Sequence, residues 1–66
     1  MQVKINGKSE EVQGPTVLDL LKAKSIDPHM VALELNSTMV ERDQLAATAL
    51  KDGDALEFLF YMGGGR

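Results

Sequence analysis

The stretch Pro15-Thr16-Val17-Leu18-Asp19-Leu20-Leu21-Lys22-Ala23-Lys24 decides the fold, because here the apolar spacing changes from two residues to about three and a half. Val17, Leu18, Leu20, Leu21 and Ala23 cluster as on one face of an amphipathic helix. Thr16 stands where an N-cap hydroxyl accepts a free backbone N–H. Asp19, three residues on, can answer that cap and complements the helix dipole. Lys22 and Lys24 lie at the end the dipole favours for cations, and Ser25 to Pro28 stops the helix. A helix of about eight to ten residues is held by packing rather than by propensity.

On either side of this helix the period is two. Gln2 to Asn6 is expected as a strand with Val3 and Ile5 on one face, and Asn6-Gly7 is a strong hairpin turn because both residues tolerate positive φ. Glu10 to Gln13 is the expected second strand, with Val12 inward, and Gly14-Pro15 ends it. Beyond the helix, Met30 to Asn36 alternates Val31, Leu33 and Leu35 against Ala32, Glu34 and Asn36. Asn36-Ser37 turns into a short strand, Thr38 to Glu41. Arg42 to Leu50 has no strand pattern and is expected as an irregular or 3₁₀ segment lidding the core. Lys51-Asp52-Gly53-Asp54 is a turn before a last strand, Ala55 to Tyr61. That strand sets Leu56, Phe58 and Phe60 on one face and Ala55, Glu57, Leu59 and Tyr61 on the other.

Two hairpins and one helix imply an α+β fold, a mixed four- to five-stranded sheet covered by the helix on one side and open on the other. A β-grasp, ubiquitin-like roll over residues 1–61 is the economical arrangement, with the first and last strands adjacent at its centre. Residues 62–66, Met62-Gly63-Gly64-Gly65-Arg66, then leave from the middle of the sheet as a flexible Gly-rich tail.

Sixty-six residues make one small domain with no internal repeat. With 44% hydrophobic and 26% charged residues, the chain has a globular balance. No segment approaches the ~20 apolar residues of a membrane span. The opening residues lack a signal peptide's basic and apolar regions, so the expected location is cytoplasmic and no membrane partner is expected. The net charge of −3 argues against nucleic acid as a partner. There is no cysteine, which excludes disulfides, zinc fingers and a Cys nucleophile. The single histidine, His29, is expected to be an ordinary loop residue, and no paired carboxylates suggest acid–base chemistry. A domain this small buries only about 60% of its unfolded surface, leaving little for a catalytic pocket. No bound cofactor, metal site or catalytic residue is expected.

The three consecutive glycines are not explained by packing, since Gly buries nothing and loses the most entropy on ordering. One reading is a frayed terminus or linker. The other is a tail free of side chains that threads a narrow channel and presents a carboxylate to another protein's active site. If Leu56, Phe58 and Phe60 face the helix, Leu59 and Tyr61 lie on the open face just before this tail. With Met62 they are then the candidate partner-binding residues. A reversed strand phase would instead place them in the core. Glu57 and Arg42 are candidate rim charges, although surface charges are usually only solvated.

Several segments in order carry a resemblance to a known family: Asn6-Gly7 after a short strand, Pro15-Thr16-Val17-Leu18-Asp19-Leu20-Leu21, Val31-Ala32-Leu33-Glu34-Leu35-Asn36, Val40-Glu41-Arg42, Leu50-Lys51-Asp52-Gly53-Asp54-Ala55-Leu56-Glu57 and Gly63-Gly64-Gly65. Over nearly its whole length the chain resembles the ThiS family of ubiquitin-like sulfur carriers in thiamine biosynthesis. Glu41 stands where that family commonly has Pro, in a turn.

The resemblance implies a carrier rather than an enzyme. An E1-like adenylyltransferase uses ATP to adenylate the C-terminal Gly carboxylate. A sulfur donor enzyme supplies the sulfur of the resulting thiocarboxylate, and a thiazole synthase receives it. Gly65 is then the activated residue, and Gly63 and Gly64 thread the partner's site. Arg66 departs from the pattern, since family members end at glycine. Removal by a peptidase, a cloning remnant or loss of the carrier role would each account for it. Competing roles are a molybdopterin synthase small-subunit-like sulfur carrier, a ubiquitin-like protein modifier, and a passive β-grasp interaction module.

Overall fold

The computed structural model describes residues 1–61. Its elements are β1 (Gln2–Ile5), β2 (Lys8–Glu11), α1 (Val17–Ala23), a short 3₁₀ turn (Pro28–Met30), β3 (Val31–Leu35), β4 (Thr38–Met39), a 3₁₀ segment (Arg42–Ala47) and β5 (Ala55–Phe60). The five strands form one mixed sheet in the order β2-β1-β5-β3-β4. β5 lies at its centre, parallel to β1 and antiparallel to β3. This is the β-grasp arrangement, with first and last strands side by side.

The helix starts as its sequence dictates. Thr16 Oγ1 accepts from Asp19 N–H at 3.2 Å, and the Asp19 carboxylate accepts from Thr16 N–H at 3.1 Å, a complete capping box. At seven residues α1 is shorter than expected. Its C-cap is Lys24, and Ser25 at φ 58° turns the chain away. The helix buries Val17, Leu20 and Leu21 against Val3 and Ile5 of β1, Val31 and Leu33 of β3, and Leu56 and Phe58 of β5. Val12, Leu45 and Leu50 complete that core. The 3₁₀ segment is the expected lid. The residues just after it are tied to the start of α1 by Val17 N–H donating to Thr48 C=O and Leu50 N–H to Pro15 C=O.

Three expectations are corrected. The second strand runs Lys8–Glu11 rather than Glu10 to Gln13, because the tight turn at Asn6 (φ 50°) and Gly7 (φ 84°) pairs Ile5 directly with Lys8. Val12 is inward all the same, just past the strand, its N–H donating to Met1 C=O. β4 ends at Met39, although Val40 N–H still reaches Leu33 C=O. Phe60 shares the phase of Leu56 and Phe58 but is 53% exposed, so the cover ends at Phe58. The reason is length: seven helical residues span roughly 10 Å, whereas a six-residue strand runs about 20 Å.

Candidate functional site

The candidate site is the end of β5 from which the glycine run continues. Two side-chain amides fix the strand. Asn6 Oδ1 accepts from Phe58 N–H at 2.7 Å and Asn6 Nδ2 donates to Phe58 C=O at 3.4 Å. Asn36 Oδ1 accepts from Ala55 N–H at 2.9 Å, and its backbone N–H donates to Ala55 C=O. Both asparagines sit in hairpin turns near φ +50°, a conformation Asn tolerates better than most residues. The turn before β5 is closed by Asp54, only 5% exposed, which accepts from Lys51 N–H and Asn36 Nδ2.

Leu59 is 71% exposed and lies directly opposite Ala32 on β3, on the face away from the helix. Tyr61, 51% exposed, stands just beyond the ladder, where its N–H donates to Met30 C=O. It borders a cavity of about 130 Å³ lined by Leu21, Leu33 and Leu45 of the core together with Pro28, Glu41 and Arg42, so Tyr61 adjoins the helix-side core, whereas the sequence placed it with Leu59 on the open face. Leu59, Phe60, Tyr61 and Met30 therefore leave apolar surface on both sides of this end of the sheet. Sequence reasoning missed Phe60 and Met30, because alternation gives a residue's face and not whether that face is covered there. Met62, Gly63, Gly64, Gly65 and Arg66, which include the expected threading and activated residues, lie outside the described residues.

His29 is exposed, as a loop histidine is expected to be. Its backbone N–H and ring Nδ1 lie 2.9 and 3.2 Å from Asp27 Oδ1, and these hydrogen bonds, with a smaller contribution from Arg42, hold the Asp27 carboxyl below its usual range. The Met1 ammonium likewise lowers Glu11, through a 2.7 Å ion pair. Both groups lie on the surface; Asp27 caps the turn whose Met30 carbonyl accepts from Tyr61 N–H, whereas Glu11 is at the end of β2. Among the described residues no cluster of three or more His, Cys, Asp or Glu side chains is placed to hold a metal ion. No helix among them is long and apolar enough to cross a membrane.

The ThiS family profile matches residues 3–65. The chain belongs to the ThiS family. It is 43% identical to the thiamine biosynthesis protein ThiS of Geobacter metallireducens, whose crystal structure superposes with a TM-score of 0.83 over 98% of this chain and 100% of that one. It is also similar to two proteins named thiazole synthase. Identity is 36% over 98% of this chain for that of Paramagnetospirillum magneticum, and 31% over the whole of it for that of Magnetococcus marinus. The chain spans about a fifth of the length of these curated relatives, 20% and 21%. The ThiS family is one of small sulfur carriers in thiamine biosynthesis, so the resemblance read from the ordered segments of the sequence is the family relationship itself.

Proposed function

We propose that this ThiS-family chain carries sulfur on Gly65. Its carboxylate is adenylated with ATP by an E1-like adenylyltransferase and converted to a thiocarboxylate, with the sulfur coming from a donor enzyme and passing to a thiazole synthase. A carboxylate is a poor acyl donor until one oxygen becomes a good leaving group, and the mixed anhydride with AMP provides that. The thiocarboxylate then holds sulfur as a protein-bound nucleophile. Nothing in these steps asks the carrier for a base, a metal or a nucleophilic side chain; it contributes a terminus and a docking surface.

The observation that carries this reading is the position of β5. It is the central strand, clipped by Asn6 and Asn36 and surrounded by exposed apolar groups at the end where the chain passes into three glycines. A rigid strand leading into residues without side chains suits delivery of a carboxylate into another protein's narrow site. The names of the two thiazole synthase relatives support a thiazole synthase as sulfur acceptor. Leu59, Tyr61 and Met62 are the proposed contacts for the E1-like enzyme.

Intact mass spectrometry of the untagged protein from its native cells tests the reading. The expected species lacks Arg66, and a fraction of it gains the mass difference between sulfur and oxygen on the C-terminal peptide, at a position distinct from Met62. Retention of Arg66 throughout, with no sulfur on that peptide, overturns the carrier function.

A further inference from the structure

The open face of the sheet carries an electrostatic conflict that the fold leaves in place. Glu34 on β3 and Glu57 on β5 are directly opposite in the antiparallel register, and both are exposed. Like charges facing each other across strands are destabilising. Among the described residues neither is in an ion pair, and Lys4, on the same face, is opposite Ala55 and Ser9 instead. Apolar surface adjoins the two carboxylates. Met39, 54% exposed, is opposite Glu34 on its other side, and the exposed Leu59 with its partner Ala32 forms the next row. None of these residues belongs to the core, which lies wholly on the helix side.

An exposed charge pair alone is usually only solvated. Here, among the described residues, it is unneutralised and bordered by Met39 and Leu59 on a sheet face that no described element covers, so a partner's cation would gain both contacts and relief of repulsion. We infer that Met39, Glu34, Glu57 and Leu59 form a docking surface for a thiazole synthase whose facing surface presents an arginine between the two carboxylates, with apolar side chains against Leu59 and Met39. Arginine is the fitting cation because its planar fork can bond both carboxylates while its weakly hydrated head tolerates an apolar surround. The synthase is the fitting partner because two relatives named thiazole synthase contain a segment similar to this chain as a fifth of their own length. The inference rests on the carrier reading for its partner and extends it to that partner's surface chemistry.

The test is isothermal titration of the full chain into the thiazole synthase of the same genome, at about 50 mM and about 300 mM NaCl, where screening differs strongly. Glu34→Gln and Glu57→Gln are expected to melt at or above the temperature of the unaltered chain, as repulsion is removed. Each should weaken binding about fivefold or more at low salt, and the double variant should lose the salt dependence. Leu59→Ser should weaken binding at both salts. Glutamine variants that bind as tightly as the unaltered chain, or no binding by the unaltered chain, overturn the inference. The carrier reading fails separately: a chain that gains sulfur on Gly65 but docks without regard to Glu34 and Glu57 keeps that function and loses this surface.

Discussion

The side chain of Asn6 continues the β1–β5 ladder to Phe58 after the backbone of β1 has turned away. Its amide accepts from the Phe58 N–H and donates to the Phe58 C=O, standing in for the backbone carbonyl and the later backbone N–H, from two different residues, that a continued parallel β1 would present there. Backbone pairing alone takes β1 only to Ile5 opposite Leu56, with Asn6 N–H reaching Leu56 C=O. The side chain therefore holds the central strand two residues nearer the glycine run.

Replacing Asn6 separates its two roles. Asn6→Gly keeps the positive φ but leaves both Phe58 groups without their partner, an expected loss of about 1–3 kcal/mol. Asn6→Ala adds strain at φ 50° and should lose about 1–2 kcal/mol more. Asn6→Asp, which keeps the acceptor and loses the donor, should fall nearer the native protein than either. Urea denaturation measures all three, and native stability for Asn6→Gly would show that the side-chain ladder contributes nothing.

The capping box couples α1 to pH. Thr16 Oγ1 donates to Asp19 Oδ2 at 2.8 Å and Thr16 N–H adds a second bond, and together they hold the Asp19 carboxyl below its usual range. A folded-state pKa below the unfolded one gives stability that is complete above the unfolded value and is lost as pH falls through the folded one. Thr16→Ala should cost about 1 kcal/mol at neutral pH. That deficit should shrink between about pH 5 and pH 3 without vanishing, because Thr16 Oγ1 also accepts from Asp19 N–H at any pH. Melts at pH 7 and pH 3 check this; an equal deficit at both rejects the coupling.

How much was legible from sequence depended on whether the deciding interaction was local. The Thr16–Asp19 box is a three-residue spacing, and Asn6-Gly7 announces its turn without any tertiary knowledge. The same turn also fixes the start of β2 at Lys8, since a two-residue loop leaves no room for a later one. By contrast, Asp54 looks like one more solvated residue in Lys51-Asp52-Gly53-Asp54. Its burial depends on Asn36, eighteen residues away, whose amide it accepts. The ladder bonds of Asn6 and Asn36 were hidden for the same reason: turn propensity already accounted for both residues. At the candidate site, the phase of β5 placed Leu59 correctly, whereas the exposure of Phe60 followed from the length of α1, which the helical pattern overestimated.

Asp54 is therefore a test of the hidden part. Asp54→Ala strips the acceptor from Lys51 N–H and from Asn36 Nδ2 in a site with little access to water, and should destabilise by about 1–3 kcal/mol. Asp54→Asn retains one oxygen and should lose less. Hydrogen exchange at the amides of Lys51 and Ala55 should accelerate in Asp54→Ala, the second because Asn36 is no longer held. Unchanged exchange at Ala55 would show that Asn36 does not need Asp54 to fix the start of β5.

The two phenylalanines of β5 measure where the core ends. Phe58 is buried and Phe60 is half exposed, though they share a phase and meet edge to face with centroids 6.2 Å apart at 79°. Phe58→Ala should cost about 3–5 kcal/mol, enough to unfold much of so small a domain. Phe60→Ala should lose only the aromatic pair and partial burial, about 0.5–1.5 kcal/mol. Comparable losses at the two positions in chemical denaturation would mean that the helix side is closed as far as Phe60. Because Phe60 contributes little to folding where the structure leaves it uncovered, Phe60→Ala can also be assayed as folded protein against the E1-like enzyme. Weaker adenylation in a variant of near-native stability would assign its exposed ring to that partner, and unchanged adenylation would confine docking to the Leu59 face.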